Sequence, residues 1–194
     1  DTFLAARERG REVIVDCEHF FHGFKANRDF ALACASAAYE AGARWVVLCD
    51  TNGGTLPDEV ARIVGDVTAH VPGSHLGIHA HDDCGCAVAN SLAAIDAGVR
   101  HVQGTMNGLG ERCGNANLVT LIGTLKLKDG FASRFEIDVD DAGLANLTHV
   151  SRQIDELLNR QPNRHAPFVG ASAFATSPWA SAVGRSARAP WRFA

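Results

Sequence analysis

Four short runs rich in valine, isoleucine and leucine recur along the chain, and each precedes a segment of helical character. They are spaced by roughly 25 to 32 residues, the size of one βα unit, and begin near Val13, Trp45, Leu76 and His101. Runs of this composition with helices between them are typical of a parallel sheet that is buried on both faces. The sequence therefore predicts an α/β fold built from four consecutive βα units.

Polar residues cluster directly after the predicted strands, in segments 16–22, 50–54, 79–83 and 105–115. In a βα barrel the carboxyl ends of the strands form the face that carries the active site. A complete (β/α)8 barrel has eight strands and typically about 250 residues. The sequence therefore predicts a partial barrel, about half of one, with a functional site at the carboxyl ends of its strands.

Helix signals separate the strands and continue after the last one. Asn27 is predicted to cap one helix, and Thr55 with Asp58 is predicted to cap the next. Apolar residues at helical spacing predict an amphipathic carboxyl-terminal helix over residues 138–160. The chain is thereby divided into a barrel segment (1–130), a helical linker (131–175) and an irregular tail of biased composition, interpreted as frameshifted or disordered (176–194).

The composition is that of an ordinary folded protein, 46% hydrophobic and 21% charged with a formal net charge of −4. These values argue against a disordered chain and against general nucleic-acid binding. No apolar run approaches the roughly 20 residues of a membrane span, and the first residues lack the features of a signal peptide. The scattered cysteines indicate reduced thiols, so we expect a cytoplasmic protein without a membrane or nucleic-acid partner.

Two histidines stand at the end of the third predicted strand. His79 and His81 are two residues apart, so on a strand they point to the same face and can share one cation. Asn115, in the loop after the next strand, can add an oxygen ligand. Imidazole and oxygen ligands suit Zn, Mn or Co, and Mg is also compatible. Taken alone, such a histidine pair more often marks two polar residues at a strand end than a metal site.

Charged residues flank these candidate ligands. Asp83 lies two residues beyond His81 and is predicted to orient an imidazole or a metal-bound water from behind the ligands. Arg112 is predicted to pair with Glu111 or to hold its loop in place.

Several motifs around these residues resemble the α-isopropylmalate, homocitrate and citramalate synthase family. A His-x-His-x-Asp strand end and a Gly-x-Gly-Glu-Arg-x-Gly-Asn loop are matched by residues 79–83 and 108–115. Upstream segments 18–27 and 49–54 look most like the citramalate synthase branch. The resemblance covers roughly residues 1–175 and implies that the four units are the last four of a (β/α)8 barrel.

This resemblance implies a metal-dependent Claisen condensation of acetyl-coenzyme A with an α-keto acid. Pyruvate, which gives citramalate on the route to isoleucine, is the expected keto acid, with 2-ketoisovalerate and 2-ketoglutarate as alternatives. The resemblance implies catalytic roles for Glu18 and Glu111 and substrate contacts for Thr51, Asp16 and Asn52. It also implies a homodimeric full-length parent enzyme.

Two alternatives remain open on the sequence alone. A lyase of the hydroxymethylglutaryl type shares the barrel and the histidine pair, and Cys113 stands in the loop where such enzymes carry a reactive thiol. The second alternative is that the chain is a gene fragment with no activity of its own. The resemblance supports it, because it implies an Arg-Asp-Gly strand before residue 1 and a histidine-bearing segment in place of the tail. In that case we expect the chain alone to bind metal weakly, to self-associate and to lack condensation activity.

Overall fold

A single parallel sheet organises the first part of the chain. The computed structural model describes residues 2–175, and its sheet has the strand order β1-β2-β3-β4 with every neighbouring pair parallel. The strands are β1 (Ile14–Cys17), β2 (Trp45–Asp50), β3 (Leu76–Ala80) and β4 (His101–Gln103). The predicted α/β fold of four consecutive βα units, a partial (β/α)8 barrel, is confirmed.

Helices precede, separate and cover the strands. They are α1 (Thr2–Glu8), α2 (Phe20–Ala26), α3 (Arg28–Glu40), α4 (Pro57–Thr68) and α5 (Ala87–Asp96). Helix α2 was not predicted, because this seven-residue helix lies largely within a segment interpreted as a polar cluster. Its phenylalanines Phe20, Phe21 and Phe24 are buried in the core, so α2 ties the first strand end to the helical layer.

The two predicted helix caps have different outcomes. The Asn27 side chain accepts a hydrogen bond of 3.1 Å from the Phe30 N–H and starts α3 as predicted. The prediction for Thr55 is wrong, because its hydroxyl donates to a carboxylate oxygen of Asp50 at 2.8 Å. Asp50 is buried and needs donors, so it takes this hydroxyl. Helix α4 starts instead with the Leu56 N–H donating to Glu59 at 3.1 Å.

The sheet separates an apolar face from a functional face. Val46, Leu48 and Ile78 are fully buried and pack with the helices in the main core. Alternate residues point to the opposite face, where the parallel register aligns Cys49 with His79 and His79 with Gln103. The register therefore brings polar side chains of β3 and β4 to the same level of the sheet.

The described chain forms two compact units, the first running to Asn117 and the second beginning at Leu118. The second unit carries α6 (Leu118–Leu127), α7 (Asp129–Ala132), α8 (Asp141–Ala145) and α9 (Leu147–Leu157). The division predicted at residue 130 stays a prediction, and the predicted tail, 176–194, lies outside the described residues.

The single helix predicted over residues 138–160 is wrong. Asp140 caps α8 by accepting from the Gly143 N–H at 2.7 Å, so the helix starts later than predicted. Asn146, with ψ of −5°, separates α8 from α9, and Gly143 weakens the helix just before this break. Asn159 adopts a left-handed φ of 50° and ends α9 before residue 160, as amides commonly do after a helix.

Within residues 2–175, no helix is both long enough and apolar enough to cross a membrane. All six cysteines lie in this described range and are free thiols, as the scattered spacing predicts.

Candidate metal centre

The end of β3 brings two imidazoles together on the functional face. The ring centroids of His79 and His81 lie 5.1 Å apart with an interplanar angle of 43°. His81 is 9% exposed and His79 is half-buried. The predicted sharing of one face is therefore present in the structure.

A backbone pairing places Asn115 beside this pair. His81 and Asn115 form an isolated antiparallel bridge, and the Asn115 N–H donates to the Gly108 carbonyl at 3.1 Å. The adjacent Ala116 N–H donates to the Ala80 carbonyl at 2.9 Å. These bonds fix the loop after β4 against the end of β3, so all three predicted ligands occupy one locality.

Two polar atoms of this locality are buried without a hydrogen-bond partner. They are the Nδ1 atom of His81 and the Oδ1 atom of Asn115. Native proteins rarely leave such atoms unsatisfied, and a cation accepts lone pairs from both an imidazole nitrogen and an amide oxygen. Residues 2–175 contain no cluster of three His, Cys, Asp or Glu side chains suited to a metal, so the donors available here are two imidazoles and one amide.

The electrostatics keep the imidazole available as a ligand. Burial lowers the pKa of His81, and the neighbouring His79 and Arg112 lower it further. A metal binds the neutral imidazole and not the protonated ring. The lowered pKa of His81 therefore favours the neutral ring, which is the form that binds a cation.

A glutamine that sequence reasoning missed joins His79 to the first strand. The Gln103 Oε1 atom lies 2.8 Å from Nδ1 of His79, and its Nε2 donates to Asp16 at 3.0 Å. The available signal was its place at the end of β4, in register with His79. Asp16 is thus brought to the site, while its predicted contact with substrate stays a prediction.

Glu18 and Thr51 meet at the ends of β1 and β2. The Thr51 hydroxyl donates to a Glu18 carboxylate oxygen at 2.8 Å and accepts the His19 N–H at 2.8 Å. His19 has a left-handed φ of 55°, which turns its N–H toward this hydroxyl. Asn52 lies exposed in the following turn. The catalytic and substrate-binding roles of these residues stay predictions.

Arg112 ties three loops at the edge of the site. Its guanidinium donates to both carboxylate oxygens of Asp83 at 2.7 and 2.9 Å, and to the Thr51 carbonyl at 2.7 Å. It also lies 3.4 Å from the exposed Glu111 carboxylate. Hydrogen bonding by Arg112 holds the pKa of Asp83 below its usual value. The Asp83 carboxylate therefore binds Arg112, and its predicted action on an imidazole stays a prediction.

A parallel βα sheet with polar side chains gathered at the carboxyl ends of its strands defines part of a (β/α)8 barrel. The sequence pattern of the HMGL-like family matches residues 1–152, so this chain belongs to that family.

Curated relatives agree with the resemblance seen in the motifs. The chain is 52% identical over 182 residues to an (R)-citramalate synthase of Synechocystis sp., which covers 90% of this chain and 32% of that protein. It is 50% identical over 175 residues to an (R)-citramalate synthase of Streptomyces coelicolor, with the same coverage. A 2-isopropylmalate synthase of Photobacterium profundum is 36% identical, covering 88% of this chain and 33% of that protein. The chain thus spans about a third of the length of these relatives.

Solved structures share the fold. A hydroxymethylglutaryl-CoA lyase of Pseudomonas aeruginosa superposes with a TM-score of 0.67 at 22% identity, covering 83% of this chain and 54% of that chain. An HMG-CoA lyase of Bacillus subtilis gives 0.65 at 19% identity, covering 81% and 53% respectively. At these identities the likeness concerns the fold alone.

Proposed function

We propose that this chain is the carboxyl-terminal half of the catalytic barrel of a synthase that condenses acetyl-coenzyme A with pyruvate to give citramalate. The unpartnered buried atoms of His81 and Asn115 beside His79 carry this proposal, because they are suited to a divalent cation. The choice of keto acid is supported by identities of 50 and 52% to (R)-citramalate synthases, against 36% to a 2-isopropylmalate synthase.

His79, His81 and Asn115 would hold the cation, which supplies Lewis-acid activation of a carbonyl when bound. The metal is Zn, Mn, Co or Mg, all of which accept such ligands. The Thr51 hydroxyl accepts a hydrogen bond from the His19 N–H and donates one to Glu18. By a small rotation it could donate to the substrate carboxylate in place of Glu18. This exchange would free a Glu18 oxygen from its hydrogen bond, so that it could accept a proton near the reacting carbons.

The overall reaction joins the methyl carbon of the acetyl group to the keto carbon of pyruvate. A methyl proton is lost to a base, the keto oxygen gains a proton, and water cleaves the thioester to release coenzyme A. We assign Glu18 and Glu111 to proton handling, and Asp16, Thr51 and Asn52 to substrate contacts. Glu111 is exposed on the loop that also carries Asn115, which lets it approach a bound thioester.

The proposal includes a homodimeric parent enzyme that works in the cytoplasm. The free state of all six cysteines supports a reducing compartment.

A chimera tests this function in the context of a whole enzyme. In it, the aligned residues of this chain replace the matching segment of the Synechocystis (R)-citramalate synthase, over which the two are 52% identical. We expect the chimera to release coenzyme A from acetyl-coenzyme A when given pyruvate and a divalent metal. His81→Ala should abolish this release, whereas His149→Ala, at an exposed position of α9, should leave it unchanged.

The competing functions give different results in the same assay. Faster release with 2-ketoisovalerate or 2-ketoglutarate would refute the choice of pyruvate. Cleavage of a hydroxymethylglutaryl thioester would favour the lyase. A folded chimera that releases no coenzyme A with any of these keto acids would refute the proposed function.

A further inference from the structure

The side chain of Gln103 spans the functional face between the two edge strands of the sheet. From β4 its amide nitrogen donates to the Asp16 carboxylate of β1 at 3.0 Å. Its amide oxygen lies 2.8 Å from Nδ1 of His79 on β3. These contacts join Asp16, Gln103 and His79 in one hydrogen-bonded chain, which we call the Gln103 relay.

The chemistry of the three groups fixes the direction of both bonds. A carboxylate only accepts hydrogen bonds, so Asp16 must face the NH2 group of the Gln103 amide. The amide oxygen is thereby turned toward His79 and can only accept. The Nδ1 atom of His79 must therefore carry the hydrogen, which leaves Nε2 of the neutral ring with a free lone pair.

We propose that Gln103 is a positioning residue, which holds His79 in the Nδ1–H tautomer with Nε2 ready to bind a cation. This inference rests on the proposed function for the identity of the group that Nε2 binds. A metal-ligating histidine usually donates its other ring N–H to an acceptor, which fixes the ring and raises its basicity. Gln103 supplies this acceptor, and Asp16 acts on the ligand by orienting Gln103.

The chain contains an internal reference for this behaviour. His75 places its Nδ1 atom 3.0 Å from the backbone carbonyl of Arg44, which also can only accept. His75 should therefore show the same tautomer as His79 but independently of Gln103. Its ring packs 5.1 Å from that of Tyr39, so its signal also reports whether a variant is folded.

The direct test is long-range ¹H–¹⁵N correlation NMR of the histidine rings in the full 194-residue chain, at a pH where imidazoles are neutral. We expect His79 in the Nδ1–H form. Gln103→Leu removes the acceptor and should shift His79 toward the other tautomer, while His75 stays unchanged. Gln103→Glu keeps an acceptor oxygen and should retain the wild-type tautomer. Gln153→Leu makes the same chemical change on an exposed face of α9 and should have no effect.

An Nε2–H form of His79 in the wild-type chain would overturn the proposal, as would an unchanged His79 tautomer in Gln103→Leu. If the leucine variant loses the His75 signal and is unfolded, Asp16→Ala decides instead. That variant removes the acceptor for the Gln103 NH2 group, so the amide can rotate and His79 should show a mixture of tautomers. An unchanged tautomer in Asp16→Ala would also overturn the relay.

Titration of the chimera with Co²⁺ alone, followed by its visible absorption, separates this inference from the proposed function. Loss of such a supporting contact typically weakens metal affinity by about 10- to 100-fold, which we expect for Gln103→Leu in the chimera relative to the parent chimera and to Gln153→Leu. If the parent chimera binds no Co²⁺ but the tautomer result holds, the metal function fails and the relay stands. Equal Co²⁺ affinity of Gln103→Leu and of the protein with Gln103 would overturn the proposal that Gln103 supports metal binding.

Discussion

Gly110 approaches the Asn115 side chain too closely to carry a side chain of its own. A Cβ atom at this position would lie 2.6 Å from Nδ2, 2.9 Å from Cγ and 3.2 Å from Oδ1 of Asn115. The backbone of Gly110 is outside the left-handed region, so alanine introduces no conformational strain there. Gly110→Ala is therefore a steric perturbation of one candidate ligand.

The size of the effect follows from these distances. Ordinary carbon contacts are about 3.5 to 4.0 Å, so the Asn115 carboxamide must move by roughly 1 Å. The Asn115 N–H is held by the Gly108 carbonyl at 3.1 Å, so the side chain moves more readily than the backbone. We expect metal affinity to fall by about 10- to 100-fold. Because Gly110 is exposed, the free energy of unfolding should change by only about 1 kcal/mol, the low end for overpacking.

Gly54→Ala is the matched control, since the same methyl group added there meets only the Asn52 carbonyl oxygen at 4.0 Å. Both variants are made in the chimera, and metal affinity is compared by Co²⁺ titration alongside the thermal unfolding midpoint. Gly110→Ala should weaken binding and Gly54→Ala should not. Equal affinities in the two folded variants would refute the assignment of Asn115 as a ligand.

Three further outcomes are expected. Phe21→Ala removes a side chain that is 0% exposed and should lower the free energy of unfolding by about 3 to 5 kcal/mol, measured by urea denaturation. Burial lowers the pKa of His101 below its ordinary value of 6.5, so at pH values below about 6.5 the unfolded chain binds a proton that the folded chain does not. The free energy of unfolding should therefore fall as the pH drops through this range. His101→Phe should flatten this pH dependence, measured by denaturation at a series of pH values. Thr51→Val removes the hydroxyl that binds Glu18 and should lower kcat/KM of the chimera for pyruvate by about 10- to 100-fold, while its unfolding midpoint falls only slightly because the His19 N–H also loses its acceptor.

The parallel sheet and the histidine pair were predictable because both depend on local periodicity. Val46, Leu48 and their neighbours form a short apolar run, which is typical of a strand buried on both faces. His79 and His81 share a face because strand side chains alternate with a period of two. The split between α8 and α9 was not predictable from apolar spacing, which continues through Asn146 while the backbone does not.

The contacts between loops were beyond local patterns. Arg112 was predicted to pair with Glu111 or to hold its loop. Its bidentate contact with Asp83 could not be predicted, because the two residues are 29 positions apart in the sequence and meet only when their loops come together in the fold. Gln103 was missed because its partner Asp16 lies 87 residues away, and a glutamine on a short strand carries no motif. The three candidate ligands were therefore visible in the sequence, whereas Gln103 and the hydrogen-bond partners of the site required the fold.

The central claim is that His79, His81 and Asn115 bind one divalent cation. Its most direct test is anomalous X-ray diffraction from crystals of the chimera soaked in Zn²⁺, with data collected on both sides of the zinc absorption edge. We expect a single strong anomalous peak within about 2.0 to 2.3 Å of one ligand atom from each of the three residues. A peak elsewhere with Asn115 turned away from the two histidines would contradict it.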